Sequence, residues 1–169
     1  MTFRGTEGLP NPFTEDFGEN TLTMEVGVSP QSLEALAFFE RNRDKNGNNY
    51  IYGHSKGGEL ATEVYVENYN DIKGAHIINA QPINPYKLSQ DQLDALRLGK
   101  FDAIVIDGDI VSMLGRVAYP IRIVANNGKK DGFFDPHSIS SMLHDDDGNA
   151  IIVKNPTQII SFKALQVHS

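Results

Sequence analysis

The stretch Gly53-His54-Ser55-Lys56-Gly57-Gly58 follows directly on the short apolar run Tyr50-Ile51-Tyr52. Residues 59–66 then carry apolar side chains at helical spacing, so the pattern predicts a strand, a tight turn at Ser55 and a helix. Glycines on both sides of Ser55 remove the Cβ atoms that would collide in so sharp a turn. We therefore expect the Ser55 hydroxyl to project from the end of the strand.

A Gly-x-Ser-x-Gly sequence between a strand and a helix resembles the nucleophile elbow of α/β-hydrolases. Short glycine patterns also occur by chance as ordinary turns, which is the alternative for Ser55. The strand pattern before the serine and the helical pattern after it favour the catalytic interpretation.

The rest of the chain alternates strand and helix patterns. Strands are predicted at 50–52, 75–79, 101–106 and 121–124, and helices at 30–43, 56–68 and 89–98. Such alternation predicts an α/β fold with a mainly parallel sheet flanked by helices. The 169 residues fit one domain, 1–169.

Two segments depart from this alternation. Residues 7–29 form a long connection with scattered apolar residues, interpreted either as a lid over a site or as a surface excursion that plugs the core. Residues 145–169 are predicted to form a hairpin-like extension, because an Asp-Gly-Asn turn at 147–149 is followed by short strand patterns.

Composition excludes several classes of protein. The formal net charge is −7 and no long Lys/Arg run occurs, which argues against a nucleic-acid partner. There is no cysteine, so disulfide and thiolate chemistry do not arise. No apolar run is long enough for a membrane span, and the N-terminus lacks the apolar core of a secretory signal. We expect a soluble protein, with a cytoplasmic location favoured.

A serine hydroxyl needs a base to accept its proton and an acid to orient that base. In α/β-hydrolases the order along the chain is serine, acid, histidine, each after a strand. Asp107 and Asp109 both follow the strand at 101–106, and His137 follows the last strand through a loop. Taken alone, Asp-Gly-Asp is more commonly only a turn, and an isolated histidine is more commonly a solvated surface residue. Their order along the chain and their positions after strands together favour the catalytic interpretation. His76, in an apolar strand, is interpreted as a core residue.

Four short blocks together resemble the class 3 lipases, and more closely the uncharacterised bacterial relatives of that family. The blocks are Phe3-Arg4-Gly5-Thr6, Gly53-His54-Ser55-Lys56-Gly57-Gly58, Asp109-Ile110-Val111 and His137-Ser138. The resemblance implies Ser55 as nucleophile, His137 as base and Asp109, rather than Asp107, as acid. It also implies an oxyanion hole formed by Thr6 and the backbone N–H of Lys56.

The chain departs from the family pattern at several points. In the block around Ser55, Lys56 occupies the position where leucine is usual. After Asp109-Ile110-Val111, Ser112 occupies the position where proline is often found. The tryptophan that is common after the first block is absent. The first block begins at the third residue, whereas family members have strands and a helix upstream. The resemblance therefore implies an N-terminally shortened α/β-hydrolase fold.

These residues predict a serine hydrolase that cleaves acyl esters, with a small-molecule ester or a lipid as substrate and without a metal or organic cofactor. One alternative is a non-catalytic hydrolase-like domain that binds or supports another molecule. Another keeps the chemistry but changes the substrate to a thioester, a peptide or a phospholipid, because fold does not determine substrate.

Overall fold

The computed structural model describes residues 1–3, 29–113, 117–128 and 135–154. Thr6 lies outside these residues, as do all of the 7–29 connection except Ser29 and the part of the C-terminal extension beyond residue 154. The predicted roles of those parts stay predictions.

A five-stranded, wholly parallel sheet forms the centre of the fold. The strands neighbour one another in chain order: β1 (Thr2–Phe3), β2 (Asn49–His54), β3 (Ile72–Ile78), β4 (Phe101–Ile106) and β5 (Arg122–Val124). The predicted α/β architecture with a parallel sheet is thereby confirmed. Because the strands are parallel, their carboxyl ends share one edge, where His54, Ile78, Ile106 and Val124 are the last strand residues.

Three α-helices of the described residues accompany the sheet: α1 (Pro30–Asn42), α2 (Lys56–Asn68) and α3 (Gln90–Ala95). Ser29 caps α1, since its hydroxyl accepts from the N–H of Ser32 at 3.1 Å and Pro30 opens the first turn. The sequence pattern predicted α3 to reach residue 98, but it ends at Ala95. The N–H groups of Arg97 and Leu98 bond three residues back, at 3.0 and 3.1 Å, so the chain tightens into a turn before Gly99.

The core lies between one face of the sheet and α2. Alternate strand residues such as Ile51, Ala75 and Ala103 are buried, and α2 buries Val64 and Tyr65. The Tyr65 hydroxyl donates to the carbonyl of Ala95 at 2.9 Å, which ties α2 to α3. This packing holds α2 against β2 and β3, so the turn between β2 and α2 has a defined position.

The opposite face carries a row of polar and aromatic side chains. Tyr52 stacks on His76 with ring centroids 5.2 Å apart, and Asp102 accepts two hydrogen bonds from Arg122 at 2.8 and 2.5 Å. The expectation that His76 belongs to the core is wrong. It points to the exposed face and lies 3.6 Å from Asp102, because strand alternation puts it on the side away from α2.

The described part of the C-terminal segment runs antiparallel beside β5. Val124 bridges Ile152, and His144 bridges Ala150 across a turn in which Gly148 has φ 82°. Among the described residues after this turn, single bridges occur where short strands were predicted.

Candidate active site

Ser55 forms the whole connection between β2, which ends at His54, and α2, which begins at Lys56. Its backbone lies at φ 57° and ψ −130°, a conformation that costs a non-glycine residue about 1–3 kcal/mol. Ser55 occupies the N-cap position of α2, yet its hydroxyl makes no capping hydrogen bond. Strain of this kind, together with a hydroxyl not used by the helix, is typical of a nucleophile turn.

Neighbouring glycines make this turn sterically possible. A Cβ on Gly53 would meet the carbonyl oxygen of Gly57 and lie 2.7 Å from the Cα of Gly58. A Cβ on Gly58 would lie 2.6 Å from the Cβ of Ala80. The strand and the first turn of α2 therefore approach too closely for any larger residue at Gly53, as the sequence spacing predicted.

Backbone hydrogen bonds fix Ser55 from both sides. Its N–H donates to the carbonyl of Ile78 at 3.2 Å, at the end of the neighbouring strand. Its carbonyl accepts from the N–H groups of Gly58 at 2.9 Å, Glu59 at 3.3 Å and Gln81 at 3.3 Å. The turn is thus held by its own helix and by the chain that leaves β3.

Asp109 and His137 form a buried pair beyond the ends of β4 and β5. The Nδ1 atom of His137 lies 2.7 Å from Oδ1 of Asp109, and the two residues are 9% and 0% exposed. Asp109 also accepts from the N–H of Val111 at 3.3 Å and from the N–H of Ser112 at 3.0 Å, and the Ser112 hydroxyl donates to it as well. These donors replace the water that the buried carboxylate has lost.

Asp107 lies elsewhere in the same turn. It is half-buried, its N–H donates to Val124 at 2.8 Å, and its carbonyl accepts from the side chain of Asn126. Gly108, at φ 92°, lets the chain reverse between the two aspartates, where a Cβ would lie 3.3 Å from Cγ of Pro136. Of the two candidates, the structure brings Asp109 to His137.

The turn that carries His137 is attached to the edge of the sheet beside Ser55. Nε2 of His54 donates to the carbonyl of His137 at 2.7 Å, and the two imidazole rings lie 4.9 Å apart. Burial lowers the pKa of His54, so a neutral ring faces His137 at neutral pH. Within the described residues no hydrogen bond joins the Ser55 hydroxyl to His137. In unliganded enzymes such hydrogen bonds are often long or poorly aligned, so this geometry does not decide whether the two residues act together.

The backbone N–H and the side chain of Lys56 have different surroundings. As the first residue of α2 its N–H has no acceptor within the helix, so it is available to an anion at the turn. The side chain is buried and its Nζ lies 2.7 Å from Oε2 of Glu59. Burial raises the pKa of Glu59, although the Lys56 ammonium opposes that rise.

The sequence pattern did not predict a role for two residues of the site. Asn79 is fully buried directly after β3, and its side chain bonds both to β4 and to the His137 turn. Ser112 was noticed only as a departure from proline, yet it supplies two donors to Asp109. For Asn79 the available signal was an asparagine at the end of a strand, since asparagine tolerates the left-handed backbone that such a position can require.

Among the described residues, no group of three or more histidine, aspartate or glutamate side chains could hold a metal ion. No helix in the described ranges is long and apolar enough to cross a membrane.

Comparison with known proteins gives no relative for this chain: no protein family, curated protein or solved structure matches it.

Proposed function

We propose that this chain is a serine hydrolase of the α/β-hydrolase type that cleaves acyl esters, similar in its site to class 3 lipases. The observation that carries the proposal is the combination at one sheet edge of a strained serine turn with a buried His–Asp pair. Either feature alone occurs for structural reasons. The order serine, aspartate, histidine along the chain is the one found in α/β-hydrolases, and these three residue types are those that acyl transfer by a serine nucleophile uses.

In the proposed reaction, Oγ of Ser55 attacks the carbonyl carbon of the ester while Nε2 of His137 takes the hydroxyl proton. Asp109 accepts from Nδ1–H and stabilises the imidazolium. The tetrahedral intermediate collapses, and the alcohol leaves with the proton from His137. Water then attacks the acyl-serine, giving up a proton to His137, and the carboxylic acid and Ser55 are released.

Negative charge on the carbonyl oxygen needs donors that are in place before the reaction. The N–H of Lys56 lies directly after Ser55 at the start of α2, which supports its assignment as one donor. The second donor, Thr6, is proposed from the family resemblance alone. Each preorganised donor contributes about 3–4 kcal/mol to transition-state stabilisation in comparable enzymes.

A second candidate function is a hydrolase-like module that binds or supports another molecule without catalysis. The observation that favours it is that no hydrogen bond connects the Ser55 hydroxyl with His137 across the described residues. In that case the strained turn would be a feature of the fold. The two functions differ in whether Ser55 is chemically activated, and an activity measurement separates them.

Hydrolysis of p-nitrophenyl esters with acyl chains of graded length tests the proposal. The wild type is expected to release p-nitrophenolate in a burst that matches the enzyme concentration, because acyl-enzyme accumulates. Ser55→Ala is expected to lower kcat by on the order of 10⁴-fold or more. The exposed Ser140→Ala is the matched control and is expected to retain wild-type rates.

The same series identifies the substrate class. A rate that rises with acyl length, and rises again when the long-chain ester is presented in phospholipid vesicles instead of dispersed in buffer, would indicate a lipid substrate. A preference for short soluble esters or thioesters would indicate a small-molecule esterase. Turnover that Ser55→Ala leaves unchanged would refute the serine mechanism.

A further inference from the structure

Asn79 has an unusual backbone and unusual surroundings for a residue outside the proposed triad. It follows β3 directly, is 0% exposed and has φ 46°. Its N–H donates to the carbonyl of Ile104 in β4 at 2.9 Å. A left-handed backbone is uncommon for residues other than glycine, so this conformation is maintained by its contacts.

The side chain of Asn79 uses both ends of its amide. Its Oδ1 accepts from the N–H of Ile106 at 2.8 Å, at the last residue of β4. Its Nδ2 donates to the carbonyl of Pro136 at 2.9 Å and to the carbonyl of His137 at 3.1 Å. A neutral amide is the side chain that can satisfy one donor and two acceptors in this way.

These bonds connect the two parts of the chain that carry the acid and the base. A single turn leads from Ile106 to Asp109, and in this turn the N–H of Asp109 donates to the carbonyl of Ile106 at 2.9 Å. Pro136 and His137 form the turn that holds the imidazole. One side chain therefore sets the distance between the end of β4 and the backbone of His137.

His54 acts on the same oxygen from the other side. Its Nε2 donates to the carbonyl of His137 at 2.7 Å, so two donors from two strand ends converge on one acceptor. A carbonyl held by two donors leaves the attached residue little freedom to shift along the edge of the sheet. The ring of His137 is then oriented by its bond to Asp109.

We propose that Asn79, together with His54, is a positioning residue that clamps the carbonyl oxygen of His137 and so holds the imidazole between Asp109 and Ser55. This inference rests on the proposed hydrolase function and deepens it. It assigns the placement of the base to backbone hydrogen bonds from strand ends, in addition to the bond from Asp109. Neither residue is expected to touch the substrate.

Two substitutions at Asn79 remove the clamp in different ways. Asn79→Asp keeps the shape and the acceptor for Ile106, but it turns an oxygen toward two carbonyl oxygens. Asn79→Gly removes the side chain and suits the left-handed backbone. In each folded variant we expect labelling of Ser55 by a fluorophosphonate to slow by about 10- to 100-fold, since small misplacement of catalytic groups costs this much.

Ser141→Ala is the matched control. The Ser141 hydroxyl bonds to the same turn, donating to Pro136 at 3.3 Å and Ser138 at 2.6 Å, but not to the carbonyl of His137. We expect it to lower the melting temperature while labelling stays within about twofold of wild type. His54→Phe keeps a ring beside His137 and removes only the donor, so slower labelling is expected there too.

The second readout is the proton of the His137–Asp109 hydrogen bond, observed by NMR in protein labelled with ¹⁵N-histidine. Its strongly deshielded signal is expected in the wild type and in Ser141→Ala, and is expected to weaken or vanish in both Asn79 variants. A residue that only adds stability would leave the signal unchanged in folded protein.

Wild-type labelling and an unchanged signal in folded Asn79 variants would overturn the inference. If the wild type itself is not labelled, the proposed hydrolase function fails. The NMR signal then tests the clamp by itself: loss of the signal in the Asn79 variants supports the clamp, and persistence of the signal overturns it. If neither Asn79 variant folds, His54→Phe decides, with slowed labelling in support and wild-type labelling against.

Discussion

Two aspartates separated by one glycine have different surroundings in this chain. Asp109 is fully buried, bonded to His137 at 2.7 Å and supplied with donors by Ser112. Asp107 is half-buried and its backbone is engaged with Val124 and Asn126. A carboxylate that orients a histidine must be immobile and must face Nδ1, and only Asp109 meets both conditions.

Substitution of each aspartate tests this difference. Asp109→Asn is expected to lower kcat by on the order of 10³- to 10⁴-fold, because an amide stabilises the wrong tautomer and does not stabilise the imidazolium. Asp107→Asn is expected to stay within about threefold of wild type. Steady-state hydrolysis of a p-nitrophenyl ester measures both. A larger loss at Asp107 than at Asp109 would contradict the assignment of the acid.

At the scale of elements, the strand, turn and helix around Ser55 form one unit. Gly53 lies so close to Gly57 and Gly58 that β2 passes directly into α2. In the first turn of α2, Lys56 and Glu59 form a buried ion pair. A Cβ at Gly53 would meet backbone atoms, which cannot rotate away as the end of a side chain can, so the turn leaves little room for a larger residue there.

Gly53→Ala tests the close packing of this unit. The added methyl group would meet backbone atoms of Gly57 and Gly58, so the turn would have to open. We expect the free energy of unfolding to fall by about 1–3 kcal/mol and labelling of Ser55 to be lost or slowed. Gly99→Ala is the control, because a Cβ there meets nothing within 4 Å. Urea denaturation compares the two, and equal stability would contradict a close-packed turn.

The elements around Ser55 could be predicted from sequence because their signals are local. Glycine spacing, a capping serine and a proline in the first turn each act within a few residues. The helices α1 and α2 lie within one residue of the predicted bounds, and β2, predicted at 50–52, extends over Asn49–His54. The clamp at Asn79 could not be predicted in this way. Its side chain bonds to residues 27, 57 and 58 positions away, and no local pattern encodes which distant carbonyl it reaches.

At the scale of the whole molecule, the alternation of strands and helices was enough to predict a parallel sheet. It was not enough to predict how the two faces of the sheet are packed. His76 was expected in the core, because an apolar strand resembles one that is buried on both faces. In the structure the face of the sheet away from α2 carries Tyr52, His76, Asp102 and Arg122, and these side chains contact one another across neighbouring strands.

The pH dependence of stability is another property of the whole molecule, and Glu63 on α2 contributes to it. Burial raises the pKa of Glu63, with opposing effects from Ser32 and Lys56, and its Oε2 is buried with no partner among the described residues. A raised pKa means that ionisation of Glu63 opposes folding. This cost is absent below the unfolded-state pKa, grows as the pH rises above it and is complete once the pH has risen through the folded-state pKa.

Glu63→Gln is therefore expected to stabilise the protein at pH 7, and the gain is expected to vanish near about pH 4, where wild-type Glu63 is protonated. Urea denaturation at both pH values measures the change. Glu34→Gln, on the exposed side of α1, is the control and is expected to change stability by less than about 0.5 kcal/mol. A less stable Glu63→Gln at pH 7 would contradict the account.

Covalent labelling of the purified protein with a fluorophosphonate, read by intact mass, tests whether His137 activates Ser55. The wild type is compared with Ser55→Ala and His137→Ala, each shown to be folded by circular dichroism. We expect one adduct per wild-type molecule and none on either variant, because only a serine activated by histidine reacts. No adduct on folded wild type, or an adduct that persists on Ser55→Ala, would contradict this expectation.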